Sequence, residues 1–124
     1  MMIADSSITE GQIRQIVELF YQRVRADAML GPVFGAHLSA PEWPAHLDRM
    51  CDFWSGVLLA SGRYHGNPAA VHAALPDLVP AHFDRWLALF EPVLYEVYEE
   101  QTADAILTRA RRMRAVLQRA ACPS

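Results

Sequence analysis

Apolar residues recur at the helical period along almost the whole of this chain, and the period breaks only where proline and glycine gather. Ile13, Ile16, Val17, Phe20 and Val24 mark one face of a helix, and Trp43, Leu47, Met50, Trp54, Val57 and Leu58 mark another. Phe83, Trp86, Leu87, Phe90, Leu94 and Val97 repeat the pattern, followed by Ile106, Leu107, Ala110, Met113, Val116 and Leu117. No stretch alternates apolar and polar residues as a half-buried strand does. The chain can therefore fold only as a set of helices, with its turns at Gly31-Pro32, Pro41 to Pro44, Gly62 to Pro68 and Pro76 to Pro80.

The ends of these helices can be read residue by residue. Thr9-Glu10-Gly11-Gln12 is a capping-box pattern, and Ile8 and Ile13 stand where a hydrophobic staple closes around it. Gly31-Pro32 is expected to end this first helix. Ser39 and Glu42 can cap the second, with Gly62 as its stop. Asn67-Pro68 reads as cap and first residue of a short helix that ends before Pro76. Pro80 opens a long helix with an expected kink at Pro92, and Thr102 is expected to cap the last one. The arginines of that last helix are expected on solvated faces, answered by Glu96, Glu99 and Glu100.

A chain of 124 residues, 52% apolar and 20% charged, is long and hydrophobic enough to close one core without disulfides. A single domain over residues 1–124 is expected, with residues 1–8 poorly ordered. The net charge of -3 and pI near 5.9 give no field that would draw nucleic acid or an anionic membrane. All 11 basic residues are arginine, so lysine-based covalent chemistry is excluded. Cys51 and Cys122 form no zinc-type or CxxC spacing. With no export signal and no spanning segment, a cytoplasmic protein is expected, as a monomer or weak dimer.

Helices of this length normally fill their core with their own side chains, so the residues such a core would not want carry the information. His72 lies in Ala69-Ala70-Val71-His72-Ala73-Ala74-Leu75, a short apolar helix fenced by prolines. A lone histidine is usually a surface or capped one, but these small apolar neighbours suit an imidazole entering a dry pocket as a metal or haem ligand. Other chemistries lack their patterns: there is no GxSxG elbow, no HExxH or paired ExxH, and no glycine-rich phosphate loop. Five Phe, four Tyr and three Trp give the aromatic density that a flat cofactor requires.

The residues also resemble a known family. Phe20-Tyr21-Gln22-Arg23-Val24-Arg25-Ala26-Asp27 with Leu30-Gly31-Pro32-Val33-Phe34 is similar to the first long helix and following turn of truncated haemoglobins. Trp43-Pro44-Ala45-His46-Leu47, Asp52-Phe53-Trp54, Tyr64-His65-Gly66-Asn67-Pro68, His72 and His82-Phe83-Asp84-Arg85-Trp86-Leu87 together resemble group III of that family. The resemblance implies an all-α truncated globin fold, a two-over-two helical sandwich around one haem b. It implies His72 as proximal ligand of the iron, Tyr21 and Trp86 as distal groups, and His46 at the distal entrance, where ligand entry would depend on pH in the imidazole range. Phe34, Phe53, Trp54, Met50 and Phe83 would line the haem pocket, with Arg63, Tyr64 and Arg49 candidates by position for the propionates.

Plainer roles stand beside these. Tyr21 next to Phe20 can be an ordinary buried tyrosine bonded to a backbone carbonyl, Trp86 can be core, and His46 can face solvent. His82 is the rival axial ligand, and His37 and His65 are expected at the surface. The implied function is binding of O2, CO, NO or similar small ligands, with retention too strong for bulk O2 transport. One alternative is a haem enzyme acting on O2, NO or peroxide with an unidentified reductant. A second alternative is a cofactor-free helical interaction module.

Overall fold

A computed structural model describes residues 8–75 and 77–122 of the chain. They form six α-helices: α1 (Glu10–Ala26), α2 (Leu30–His37), α3 (Trp43–Leu59), α4 (Pro68–Ala73), α5 (Pro80–Val97) and α6 (Glu100–Ala121). A 3-10 turn at Ala40–Glu42 leads into α3, and no strand occurs among the described residues. Helix α1 packs against α3 on one side and α5 on the other, α5 packs against α6, and the short α4 lies against α6.

The core forms where the apolar stripes meet. Ile13, Ile16 and Val24 of α1 are fully buried, as are Val93 and Leu94 of α5 and Ala103 and Ala110 of α6. Three rings tie α3 to α5: Trp54 stacks on Phe90 at 5.1 Å, and Phe90 on Trp86 at 5.2 Å. Each side chain the size of Ile13 removed from water contributes about 1.5 to 3 kcal/mol, so these stripes decide how the helices are arranged.

Most helix starts follow their local sequence. Thr9 accepts the Gln12 amide while Gln12 returns a bond to Thr9, and Ile8 and Ile13 are both buried. Ser39 and Glu42 close a similar pair before α3. The Asn67 side chain accepts the Ala70 amide at 3.1 Å to start α4. The expected disorder of residues 1–8 concerns 1–7, outside the described residues, and Ile8, which is described, packs in the core.

Other boundaries differ from expectation. Helix α1 ends at Ala26, not at Gly31-Pro32, because Asp27 turns the chain and its carboxylate accepts the amides of Met29 and Leu30. Gly31 and Pro32 instead lie in the first turn of α2, where proline is tolerated. A Cβ at Gly31 would stand 2.9 Å from the Arg25 carbonyl, so only glycine lets α2 fold this closely over the end of α1. Helix α3 stops at Ala60, which takes the left-handed conformation with φ 55°, two residues before Gly62. Helix α5 is one continuous element that contains Pro92, the position where a kink is expected.

Helix α6 starts at Glu100, ahead of Thr102, which is buried inside its first turn. Val116 is 55% exposed, so the inner face of α6 drifts away from it toward Met113 and Leu117. The arginines of α6 do not meet Glu96, Glu99 or Glu100: Arg114 pairs with Asp84, Arg111 faces Glu91 at 3.9 Å, and Arg109 donates to the Val57 carbonyl at the end of α3. Glu96 is taken by Arg23 instead. No described helix is long and apolar enough to cross a membrane.

Candidate functional site

A cavity of about 420 Å³ opens between the helices, and every one of the six contributes to its wall. Most of that wall is aromatic and aliphatic, which the helical stripes predict where they run out of partners to pack against. His72 lines it from α4. Its Nδ1 lies 2.7 Å from the Pro68 carbonyl four residues earlier, on the same helical face. A carbonyl only accepts, so Nδ1 carries the hydrogen and Nε2 keeps its lone pair for a ligand. The Asn67 cap and Pro68 fix the turn that supplies this carbonyl, and the ring of Phe83 lies 6.2 Å from the imidazole.

His82 also borders the cavity, but its Nδ1 accepts the Val79 amide at 3.1 Å and so serves as the cap of α5. When neutral it carries its hydrogen on Nε2, which leaves no lone pair to offer. His37 borders the cavity too, although it is exposed, and His65 is exposed outside it.

A second group of lining residues gathers around Tyr21. Its ring sits edge-on to Phe20 at 4.8 Å and to His46 at 5.1 Å, with Phe34 at 5.7 Å. Burial holds the Tyr21 phenol well above the usual tyrosine range, so the hydroxyl keeps its proton. Among the described residues no acceptor takes that proton, which removes the plain role of bonding a backbone carbonyl. Burial, with a smaller contribution from the Arg49 guanidinium, pushes His46 down to about 4. That direction favours the neutral imidazole, and among the described residues its buried Nε2 has no hydrogen-bond partner. Trp86 lines the cavity beside Phe20, its ring 5.7 Å away.

Phe34, Met50, Phe53, Trp54, Phe83 and Tyr64 all line the same cavity. Tyr64 rests on Phe53 at 5.2 Å, and a Cβ at Gly66 would fall 2.2 Å from the Tyr64 hydroxyl, so the glycine admits the phenol. Arg63 is not brought to the cavity: it faces Glu10 at 3.4 Å, part of a network in which Ser55 donates to Glu10 or meets Ser61. Arg49 borders the cavity, and so does Arg114 of α6, which sequence reasoning had placed on a solvated face. Its spacing of four from Ala110 and three from Leu117 is the signal that would have found it.

No cluster of three or more His, Cys, Asp or Glu that could hold a metal ion occurs among the described residues. An ion bound through His72 would need its remaining ligands from a bound group, and this wall suits a group that is largely apolar. The model of the bacterial-like globin family matches residues 8–119. The group 3 truncated haemoglobin of Campylobacter jejuni is 39% identical over 107 residues, 85% of this chain and 84% of that protein. The chain belongs to the bacterial-like globins, in their group III truncated branch.

This globin also superposes on the crystal structure of group III truncated haemoglobin from Campylobacter jejuni, with a TM-score of 0.85 and 38% identity over 90% of this chain and 89% of that one. Its pairs α1 with α3 and α5 with α6 are the two-over-two sandwich of the truncated globin fold.

Proposed function

We propose that this globin binds haem b through His72 and holds small diatomic ligands, O2 with CO and NO, beside Tyr21, His46 and Trp86. The observation that carries the proposal is the 2.7 Å contact of His72 Nδ1 with the Pro68 carbonyl, which leaves Nε2 as a lone pair in an apolar cavity. Family membership supports a haem and a small ligand. Ferrous haem held through the His72 imidazole would supply the iron to which such a ligand binds.

The chain's own residues then do three things. The backbone carbonyl of Pro68 fixes the imidazole tautomer and its rotation. The Tyr21 hydroxyl and the Trp86 indole N–H would donate hydrogen bonds to a ligand carrying negative charge. The rings of Phe34, Phe53 and Phe83, which line the cavity, would exclude water from it. A charge-assisted hydrogen bond of about 1.5 to 3 kcal/mol slows O2 escape roughly ten- to hundredfold. Such retention argues against bulk transport.

Arg49 is the cation at the wall that would meet anionic groups of the cofactor; Arg114, which also borders the cavity, is paired with Asp84 and would have to exchange that partner. The deciding test is the visible absorption spectrum of the purified protein after haem addition. A Soret band that shifts with CO supports the proposal, and its absence returns the chain to a cofactor-free helical module.

A further inference from the structure

Once a flat group fills the main cavity, small ligands must still reach the pocket beside Tyr21, and the walls there are rings. A second, more open hollow of about 480 Å³ lies between α1 and the start of α3, bordered by Glu18, Gln22, Arg25 and Trp43, and Tyr21 lines both this hollow and the main cavity. Tyr21 is thus common to the outer hollow and the inner cavity.

Trp43 closes the seam next to it. It is 5% exposed, and its ring lies 5.9 Å from Tyr21, 6.0 Å from Phe34 and 5.4 Å from His46. It borders the outer hollow, while Tyr21, Phe34 and His46 border the inner cavity. Over the ring of Trp43 sits the Arg25 guanidinium, 4.6 Å from the ring centroid. His46, the inner neighbour, has no hydrogen bond to its buried Nε2 that would hold the seam from within.

We infer that diatomic ligands enter through the seam between Tyr21 and Trp43, from the hollow between α1 and α3, and that Arg25 latches Trp43 shut. The inference rests on the haem proposal above. Trp43 is buried but borders the outer hollow, so opening the seam requires its ring to move toward that hollow, away from Tyr21 and out from under Arg25. The latch is a cation over an indole at an exposed site, a contact whose loss changes an equilibrium roughly two- to fivefold.

The test is CO association after flash photolysis of the haem-loaded protein, read as both the bimolecular rate and the fraction that rebinds before escape. Arg25→Met keeps the aliphatic stem and removes the cation, and it should raise the association rate roughly two- to fivefold and lower the geminate fraction. Arg25→Lys should fall between the two. Gln22→Trp, at an exposed position of the hollow, should slow association and raise the geminate fraction by filling the approach. All three variants must keep the parent Soret and CO spectra. Rates and geminate fractions unchanged in Arg25→Met or in Gln22→Trp would overturn the latched seam as the route, while absence of any CO-sensitive Soret band in the parent protein overturns the haem proposal instead.

Discussion

Replacing Tyr21 by phenylalanine removes one hydroxyl from the pocket and little else. The ring is 6% exposed and held by Phe20, His46, Phe34 and Trp43 at centroid distances of 4.8, 5.1, 5.7 and 5.9 Å, contacts that phenylalanine reproduces. No protein acceptor among the described residues loses a partner. Because burial keeps the phenol protonated, its donor role is constant with pH, and the comparison can be made at any pH where the protein is folded. The lost bond to O2 is charge-assisted, about 1.5 to 3 kcal/mol, so O2 release should accelerate roughly ten- to hundredfold. Bound CO carries less negative charge, and its release should change far less. Stopped-flow displacement of O2 by CO, and of CO by NO, measures both. Unchanged O2 release, or equal acceleration of the two ligands, refutes the donor role of Tyr21 and leaves the fold untouched.

Four other outcomes follow from the geometry. His46, held down to about 4, stays neutral above about pH 5, so ligand association should be flat from about pH 5 to 8 and change only in more acid solution; an inflection near the ordinary imidazole value of 6.5 would contradict its burial. Its depressed value also adds stability that is complete above about 6.5 and is lost as pH falls toward about 4, a slope that His46→Leu should flatten in urea titrations at successive pH values. Asp27, whose carboxylate takes two bonds from Arg85 and the amides of Met29 and Leu30, is held below the usual range mainly by Arg85 and should be missed most above that range. Asp27→Asn should cost about 1 to 3 kcal/mol in urea unfolding near neutrality, with the gap from the parent closing as pH falls through the carboxylate range; a constant gap refutes the charge argument. Tyr98 buries a hydroxyl with no partner, so Tyr98→Phe should stabilise by about 1 kcal/mol and raise Tm by about 4 °C, and a fall in Tm would show that the hydroxyl is satisfied.

The sequence carried the helices and most of the cavity wall because both follow from period and local chemistry. The caps at Thr9 and Asn67 are short-range patterns, and each forms as written; Ser39 and Glu42 also meet, but around the 3-10 turn ahead of α3. Where long-range partners decide, the sequence misled. Gly31-Pro32 looks like a helix end, yet Asp27, fixed from a distance by Arg85, starts a new helix around it. Arg63 seemed placed for a cofactor, but Glu10 from the other end of the fold claims it. Arg114 hid in a run of arginines, although its spacing from Ala110 and Leu117 puts it on the face of α6 that borders the cavity. The lowered pKa of His46 was not legible because it depends on burial between helices. The Pro68 bond to His72 was within reach of the sequence, since residues four apart share a helical face.

The central claim is ligation through His72, and one spectroscopic series tests it. The account predicts that His72→Gly loses the normal ferrous and ferrous-CO spectra of the haem-loaded protein and that added imidazole restores them, while His82→Ala and His65→Ala keep the parent spectra. A normal ferrous-CO spectrum with His72 removed, together with its loss in His82→Ala, would contradict the account and make the cap of α5 the ligand.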